Sequence, residues 1–446
     1  MQKIIIIGAG PGGYETAATA ARNGFDVTLI EANEVGGTCL NEGCIPTKAL
    51  CRTASLLTDL AEAAGYGVDN VSYSLNFPAV MARKEAIVAQ LKSGVETLLS
   101  IPNLRLVKGT ARFVDAHTVE AAGETFTADY IIIATGSVSA MLPIPGHDLP
   151  GVITSREMLS LDSIPKRLCI IGAGVIGLEF ASIFRTLGSE VTVVEFAKEV
   201  LPHFDSDLAK RLRQSLGKRG ITIETQSGVT AIEAVEDGLK VIYERKGKTA
   251  EVVADKVLMA VGRRANTASL NLADVGVETD RRGIVVNDRM QTSVPHIYAI
   301  GDVNGLMMLA HAASFQGERA LHAIMGRDDE LRLDVMPAAV FTMPEVATVG
   351  MTEDDCKAQG VAYSAKKAFF RANGKALCLG ESEGYCKLIV AEDGKLLGCH
   401  IYGPHASDLV QEACALITKN GTVEDLRNII HTHPTLSEVV MTAARI

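Results

Sequence analysis

No stretch of 18 consecutive apolar residues occurs in the chain, so no membrane-spanning helix is expected. Positive charge is not in excess either: 43 lysines and arginines face 53 aspartates and glutamates, a net charge of −10 at pH 7. Such a chain is a poor bulk partner for phosphate backbones, which argues against nucleic-acid binding. The opening MQKIIIIGAG lacks both the apolar core length and the small-residue cleavage pattern of a secretory signal. The expectation is a soluble, cytoplasmic protein without a membrane partner. In a reducing compartment the nine cysteines, an odd number, do not suggest a structural disulfide framework, and any disulfide would be catalytic or transient. What remains is ordinary globular composition, 47% hydrophobic and 22% charged over 446 residues, enough for about two to four domains.

Against that background two stretches repeat. Lys3–Ile7 reads as a buried strand running into Gly8-x-Gly10-x-x-Gly13, then an alanine-rich helix to about Asn23, then a strand Phe25–Ile30 that ends at Glu31. A lone G-x-G-x-x-G is weak, but strand, loop, helix, strand and terminal acid in that order point to a dinucleotide-binding unit. The glycines let the backbone approach a pyrophosphate at the amides of a helix N-terminus, and the acid can accept hydrogen bonds from a ribose. Leu142–Gly146 and Pro150-Gly151 then form a proline- and glycine-rich boundary. Beyond it the pattern recurs as Leu168–Ile171, Gly172-x-Gly174-x-x-Gly177, a helix Leu178–Leu187, Val191–Val194 and Glu195. Gly13 to Glu31 and Gly177 to Glu195 are both 18 positions. The closing strands recur too, before Thr135-Gly136 and before Val261-Gly262. Two such units imply two dinucleotides. Glu195 is acidic with no arginine close behind it, so the second is expected to be NAD rather than NADP, because a carboxylate repels a 2′-phosphate. From about Leu333 the chain changes to short strands and a helix near Ser407–Lys419, a mixed α+β domain.

Between the first unit and its next helix lies VGGTCLNEGCIPTK, Val35 to Lys48, with Cys39 and Cys44. In an ideal α-helix residues five apart have Cα atoms about 8.7 Å apart. A disulfide tolerates at most about 7 Å. The pair can therefore bridge only if the backbone between the cysteines is irregular, and Gly36, Gly37, Asn41, Gly43 and Pro46 supply that irregularity. Free amides at an irregular helix start also favour a thiolate. The alternatives are a reactive pair or two buried, inert thiols. The other seven cysteines read as small core hydrophobes, Cys169, Cys386 and Cys399 in apolar strand contexts. The terminal HTHPTLSE, His431 to Glu438, is open to three readings: an acid/base pair, half of a metal site, or a polar loop. No Cys, His and Asp cluster at ligand spacing accompanies it, so no metal is expected.

GGTCLNEGCIPTK closely resembles the redox-active segment of the class I pyridine-nucleotide-disulfide oxidoreductases. The resemblance extends over the two glycine loops, Thr135-Gly136, Gly301-Asp302, FTMPEVATVG at 341–350 and the C-terminal HTHPTLSE. Within the family, Glu195 and the terminal motif are most similar to the dihydrolipoamide dehydrogenase branch. One departure is Ala265, where a proline is common. The resemblance implies an α/β fold of two Rossmann-like dinucleotide-binding domains plus a C-terminal α+β dimerisation domain. Its expected parts are an FAD-binding domain at 1–143, an NAD-binding domain at 144–264, a central FAD-binding part at 265–333, and a dimerisation domain at 334–446.

The same resemblance implies site roles. FAD is expected at Gly8, Gly10, Gly13 and Glu31, with Thr135 and Gly136, with Asp302 near the ribityl chain, and with the Ala310-His311 helix start near the pyrimidine end of the flavin. NAD is expected at Gly172, Gly174, Gly177, Glu195 and Gly262. Cys44 faces the flavin, Cys39 meets the substrate, Lys48 pairs with Glu179 beside the ring, and His433 with Glu438 forms the acid/base dyad. His431 supports the loop. The implied reaction is oxidation of small-molecule or protein-bound dihydrolipoyl groups with NAD, by a homodimer in which the histidine reaches the other subunit's disulfide. The implied partners are the acyltransferase core of a 2-oxoacid dehydrogenase complex or a glycine cleavage lipoyl protein. Two rivals remain, a related reductase with another disulfide substrate and a flavin- and NAD-binding redox sensor.

Overall fold

Four isoleucines in a row, Ile4–Ile7, are each no more than 3% exposed. A strand buried on both faces must lie inside a covered parallel sheet. In the computed structural model, which describes residues 1–446, Lys3–Ile7 is the central strand of five, in the order 297–299, 130–133, 3–7, 26–31, 104–108. All four pairings are parallel. Alternate isoleucines serve opposite cores: Ile4 and Ile6 pack with Ala17, Ala20 and Leu321, and Ile5 and Ile7 with Phe113 and Val119. Burying each such side chain contributes about 1.5–3 kcal/mol.

The chain forms two compact units. The first comprises residues 1–49, 78–140 and 262–333. In it the helices Pro11–Arg22 and Ala310–Ile324 approach through glycine: a Cβ at Gly12 would stand 3.0 Å from Ala313, and one at Gly317 would stand 1.9 Å from Thr16 Oγ1.

The second unit comprises residues 50–77, 141–261 and 334–446. It holds a second parallel sheet in the order 221–224, 190–194, 167–171, 256–259, 152–153. A three-stranded antiparallel meander, Ser227–Val235, Gly238–Arg245 and Lys248–Ala254, lies in the chain between its strands 221–224 and 256–259. The C-terminal part is a five-stranded antiparallel sheet in the order 338–340, 345–350, 396–403, 385–391, 363–369, with the helix Ala406–Thr418 packed on it through Ala406, Val410 and Ala413.

The elements lie within a few residues of the expected positions, with two differences that bear on the site. The helix expected from Lys48 begins at Cys44 and runs to Glu62. The seven remaining cysteines are not all in cores: Cys169, Cys356, Cys386, Cys399 and Cys414 are buried, Cys51 is half-buried, and Cys378 is exposed. Cys378 lies on the short helix Gly374–Leu379, of which only Ala376 is buried, so the rest of that helix faces solvent. No helix of the chain is long and apolar enough to cross a membrane.

Candidate active site

The two glycine loops are built alike at their outer glycines. Gly8 has φ +106° and Gly172 has φ +106°. A Cβ on Gly8 would stand 2.3 Å from the Ala134 carbonyl oxygen, and one on Gly172 would stand 2.4 Å from that of Ala260. Gly13 and Gly177 press in turn on the carbonyls of Gly8 and Gly172, at 1.8 and 2.1 Å from a built Cβ. No side chain fits at these four positions. The middle glycines differ: a Cβ at Gly174 would meet nothing within 4 Å, and one at Gly10 only the Gly37 Cα at 3.9 Å. Gly10 and Gly174 are the N-cap residues of the helices Pro11–Arg22 and Val175–Thr186, and neither helix has a side-chain cap. Uncapped amides facing a clear space on a 12-residue helix fit a pyrophosphate.

Each terminal acid is fixed the same way. Glu31 accepts from the amides of Ala9 at 2.6 Å and Asn33 at 2.7 Å. Glu195 accepts from those of Ala173 at 2.5 Å and Ala197 at 2.6 Å. Both carboxylates stay anchored at the strand end with lone pairs left for ribose hydroxyls.

The cysteine segment is wedged against the first loop. Gly37, with φ +58°, approaches so closely that a Cβ there would be 2.6 Å from the Gly10 Cα. Gly36 N donates to the Ala9 carbonyl at 2.8 Å. A short helix, Gly37–Glu42, carries Cys39, and the chain breaks at Gly43 (φ −147°, ψ −109°) before the next helix starts at Cys44. This is the irregular backbone that a bridging pair requires. Asn41 ties the short helix to its own start, donating to the carbonyls of Val35 at 2.9 Å and Gly37 at 3.0 Å. Thr47 Oγ1 donates to Gly43 at 2.6 Å.

Both cysteines are half-buried thiols within hydrogen-bonding reach of each other. The shared hydrogen bond with Cys44, followed by burial, pushes the Cys39 thiol up, and the Lys48 ammonium opposes this more weakly. The expected thiolate-favouring effect of a helix start therefore does not dominate at Cys39. Cys44, as the first residue of its helix, occupies the position nearest the free amides.

The Gly301-Asp302 turn is braced from two sides. Gln316 Oε1 accepts from Gly301 N at 2.7 Å and from Asn304 Nδ2 at 2.8 Å. Ser137 Oγ donates to Asp302 at 2.5 Å, and Arg263 Nε donates to Ser137 Oγ at 2.7 Å. Thr135 Oγ1 donates to Asn266 O at 2.7 Å, and Asn266 N donates to the carbonyl of Gly136 (φ +67°) at 2.9 Å. Gly262, at φ +115°, accepts from Ala140 N at 3.0 Å. Ala310 and His311 open a 15-residue helix that has no side-chain cap. Sequence reasoning missed Ser137 and Arg263, because their partners are a long way along the chain: Ser137 is 165 residues from Asp302 and 126 from Arg263. It also missed Gln316, whose partners Gly301 and Asn304 lie only 15 and 12 positions back but in a turn that carries no periodic pattern.

In the second unit Glu179 is only 4% exposed and accepts from Phe341 N at 3.0 Å, which ties the FTMPE loop to the helix Val175–Thr186. His433 Nδ1 meets Glu438 Oε1 at 2.9 Å, and Glu438 Oε2 accepts from Thr435 N at 2.9 Å. The Thr435 amide, then His433, holds the Glu438 carboxyl below its ordinary range. With Nδ1–H given to the carboxylate, Nε2 carries the free lone pair. The His433 side chain is 78% exposed, whereas that of His431 is 4% exposed and locked onto Glu412 at 3.0 Å. His431 is thus a loop support. No three His, Cys, Asp or Glu side chains converge as a metal-holding group.

Comparison with known proteins decides the family. Residues 2–317 match the family described as pyridine nucleotide-disulphide oxidoreductase, and residues 336–444 match its dimerisation domain. The chain belongs to this family. It is 41% identical to the dihydrolipoyl dehydrogenase of Haloferax volcanii, an alignment covering 99% of this chain and 95% of that protein. To the dihydrolipoyl dehydrogenase of Geobacillus stearothermophilus it is 39% identical, with the same coverage. Among solved structures it is similar to LpdA of Mycobacterium tuberculosis, with a TM-score of 0.92 and 29% identity over 100% of this chain and 99% of that one. The HOCl-induced flavoprotein disulfide reductase RclA of Escherichia coli gives a TM-score of 0.88 and 30% identity over 98% of each chain. This pyridine nucleotide-disulphide oxidoreductase has the α/β architecture with a dimerisation domain that its motifs implied.

Proposed function

We propose that this oxidoreductase oxidises dihydrolipoyl groups to lipoyl and reduces NAD, as an FAD-dependent homodimer. The observation that carries the reading is the cysteine pair on a broken helix, wedged through Gly37 against the first nucleotide loop. Relatives named dihydrolipoyl dehydrogenase, about 40% identical over nearly the whole chain, support the choice of substrate. Gly8, Gly10, Gly13, Glu31 and Asp302 would hold FAD, in parts 1–143 and 265–333. Gly172, Gly174, Gly177 and Glu195 would hold NAD, in part 144–264. FAD, when bound, supplies a two-electron carrier between the cysteine pair and the nicotinamide.

The protein's own residues do the thiol chemistry. His433 Nε2 takes the proton of one substrate thiol, and Glu438 stabilises the imidazolium that forms. The substrate thiolate attacks Cys39 Sγ of the oxidised pair, the Cys39–Cys44 bond breaks, and Cys44 leaves as a thiolate. The second substrate thiol attacks the substrate sulfur of the mixed disulfide, its proton passes to the departing sulfur, and Cys39 is released as a thiol. The product closes as a cyclic disulfide, and its two electrons remain on the cysteine pair. An exposed His433, three positions after an Ile430 that is 96% exposed, suits a histidine that serves the cysteines of a second copy of the chain. In the cell the dithiol would come from a lipoyl group on a 2-oxoacid dehydrogenase core or a glycine cleavage protein.

Steady-state rates with dihydrolipoamide and NAD, set against glutathione disulfide and coenzyme A disulfide with NADH and NADPH, test the substrate. Dihydrolipoamide with NAD is expected to dominate. Cys44→Ser should abolish that activity, and full activity in the variant would overturn the mechanism.

A further inference from the structure

Phe196 directly follows Glu195 and is 83% exposed. The backbone on either side of it is fixed. Ala197 N donates to Glu195 Oε1 at 2.6 Å. Ser227 N donates to Glu195 O at 2.8 Å and Gln226 N to Ala197 O at 2.9 Å. Leu201 N closes the following loop onto Ala173 O, within the second glycine loop, at 3.0 Å. The ring therefore projects from a rigid support. A Cβ at Gly228 would lie 3.5 Å from Phe196 Cδ2, so the ring stands beside bare backbone with most of its surface open to water.

The first repeat provides an internal control. Glu31 receives Ala9 N and Asn33 N just as Glu195 receives Ala173 N and Ala197 N. The residue that follows the acid there is Ala32. An aromatic at this position belongs to the second site alone, one residue beyond the carboxylate expected to hold the ribose. The base of a dinucleotide is attached at the ribose carbon next to the 2′-hydroxyl that such a carboxylate binds.

We propose that Phe196 is the platform on which the adenine of the nicotinamide dinucleotide stacks. Every base has a π-face, and an aromatic platform contributes affinity without enclosing the ligand. This suits a co-substrate that must leave after each turnover. The inference rests on the second glycine loop being the NAD site.

The test is equilibrium binding to the FAD-loaded enzyme of three probes: NADH, ADP-ribose, and nicotinamide mononucleotide, which lacks the purine. Phe196→Ala should weaken NADH and ADP-ribose about tenfold. Phe196→Tyr should restore their binding, and nicotinamide mononucleotide should bind alike in all three proteins. Glu195→Gln serves as the control for the site itself. If Glu195→Gln weakens ADP-ribose and Phe196→Ala does not, the stacking role is wrong while the site stands. If neither variant changes ADP-ribose binding, the second loop is not the dinucleotide site and the inference falls with it.

Discussion

Glu438 holds two donors at once, the Thr435 amide on one oxygen and His433 Nδ1 on the other. The first contact fixes the carboxylate, so the second can fix the imidazole, and Nε2 is left pointing away as a base. The dyad is local in the chain, five residues apart, which is why a short motif reveals it. His433→Gln is expected to lower turnover of dihydrolipoamide by about 10²–10⁴-fold, the usual worth of a positioned base. NADH-driven reduction of an artificial electron acceptor, which needs no thiol base, should persist. Glu438→Gln should fall between His433→Gln and the unaltered enzyme, since it keeps the shape of the side chain and loses the charge that stabilises an imidazolium. Equal loss of both activities in His433→Gln would mean that the residue holds the fold rather than the proton.

The element that matters most is the pair of helices broken at Gly43, and its position depends on one close approach. Gly37 and Gly67 both have positive φ, +58° and +78°. A Cβ at Gly37 would be 2.6 Å from the Gly10 Cα, whereas one at Gly67 would meet nothing within 4 Å. Gly67→Ala carries only the left-handed backbone cost, about 1–2 kcal/mol. Gly37→Ala adds a backbone clash that must push the cysteine helix off the nucleotide loop. The expected result is that Gly37→Ala purifies with little flavin absorbance and Gly67→Ala with a full complement. Equal flavin content in the two would remove the wedge from the account. This break was legible in the sequence, because a five-residue spacing can bridge only where the helix is irregular, and Gly43 and its neighbours supply that irregularity. The repeated strand, loop, helix and acid were legible for the same reason: their physics is confined to about 30 residues. Less local features were not. The strands Glu124–Thr127 and Gly238–Arg245 alternate in burial or lie near the surface and carry no continuous apolar run. Ser137 and Arg263 become site residues only when the sheet brings them to Asp302. Phe196 lies just beyond the strand that ends at Val194 and belongs to no motif, so only its exposure singles it out.

Within the second unit, the nucleotide-binding part and the C-terminal sheet are joined by charge buried from water. Lys387 is fully buried in the middle of the strand Tyr385–Ala391 and meets Asp205 at 2.5 Å and Glu353 at 2.7 Å. Asp205 is 1% exposed and also caps the helix Ser206–Lys218 by accepting from Leu208 N at 3.2 Å. Around this pair Lys367 meets Asp207 at 2.6 Å, and Asp354 accepts from Ser206 N at 3.1 Å. Asp205 and Lys387 are 182 residues apart, and no local pattern announces their pairing. Lys387→Met keeps the length of the side chain and strands Asp205 without a counter-charge, at a cost of about 3–5 kcal/mol. Three neighbouring carboxyls set the pH dependence. Burial pushes Glu353 and Asp207 up, but Lys387 and Lys367 more than offset it, so both lie below their ordinary values, and the Ser206 contact lowers Asp354. A carboxyl depressed on folding stabilises the protein fully above its unfolded pKa, and that contribution is lost as pH falls through the folded value. The urea midpoint of the unaltered protein should therefore be flat from neutral pH down to about 5 and fall below about 4, the ordinary carboxylate range. Lys387→Met should begin lower at neutral pH, and its deficit should shrink as acid neutralises Glu353, which loses the same counter-charge. A deficit that stays constant down to pH 3 would show that Lys387 contributes packing of its stem rather than charge.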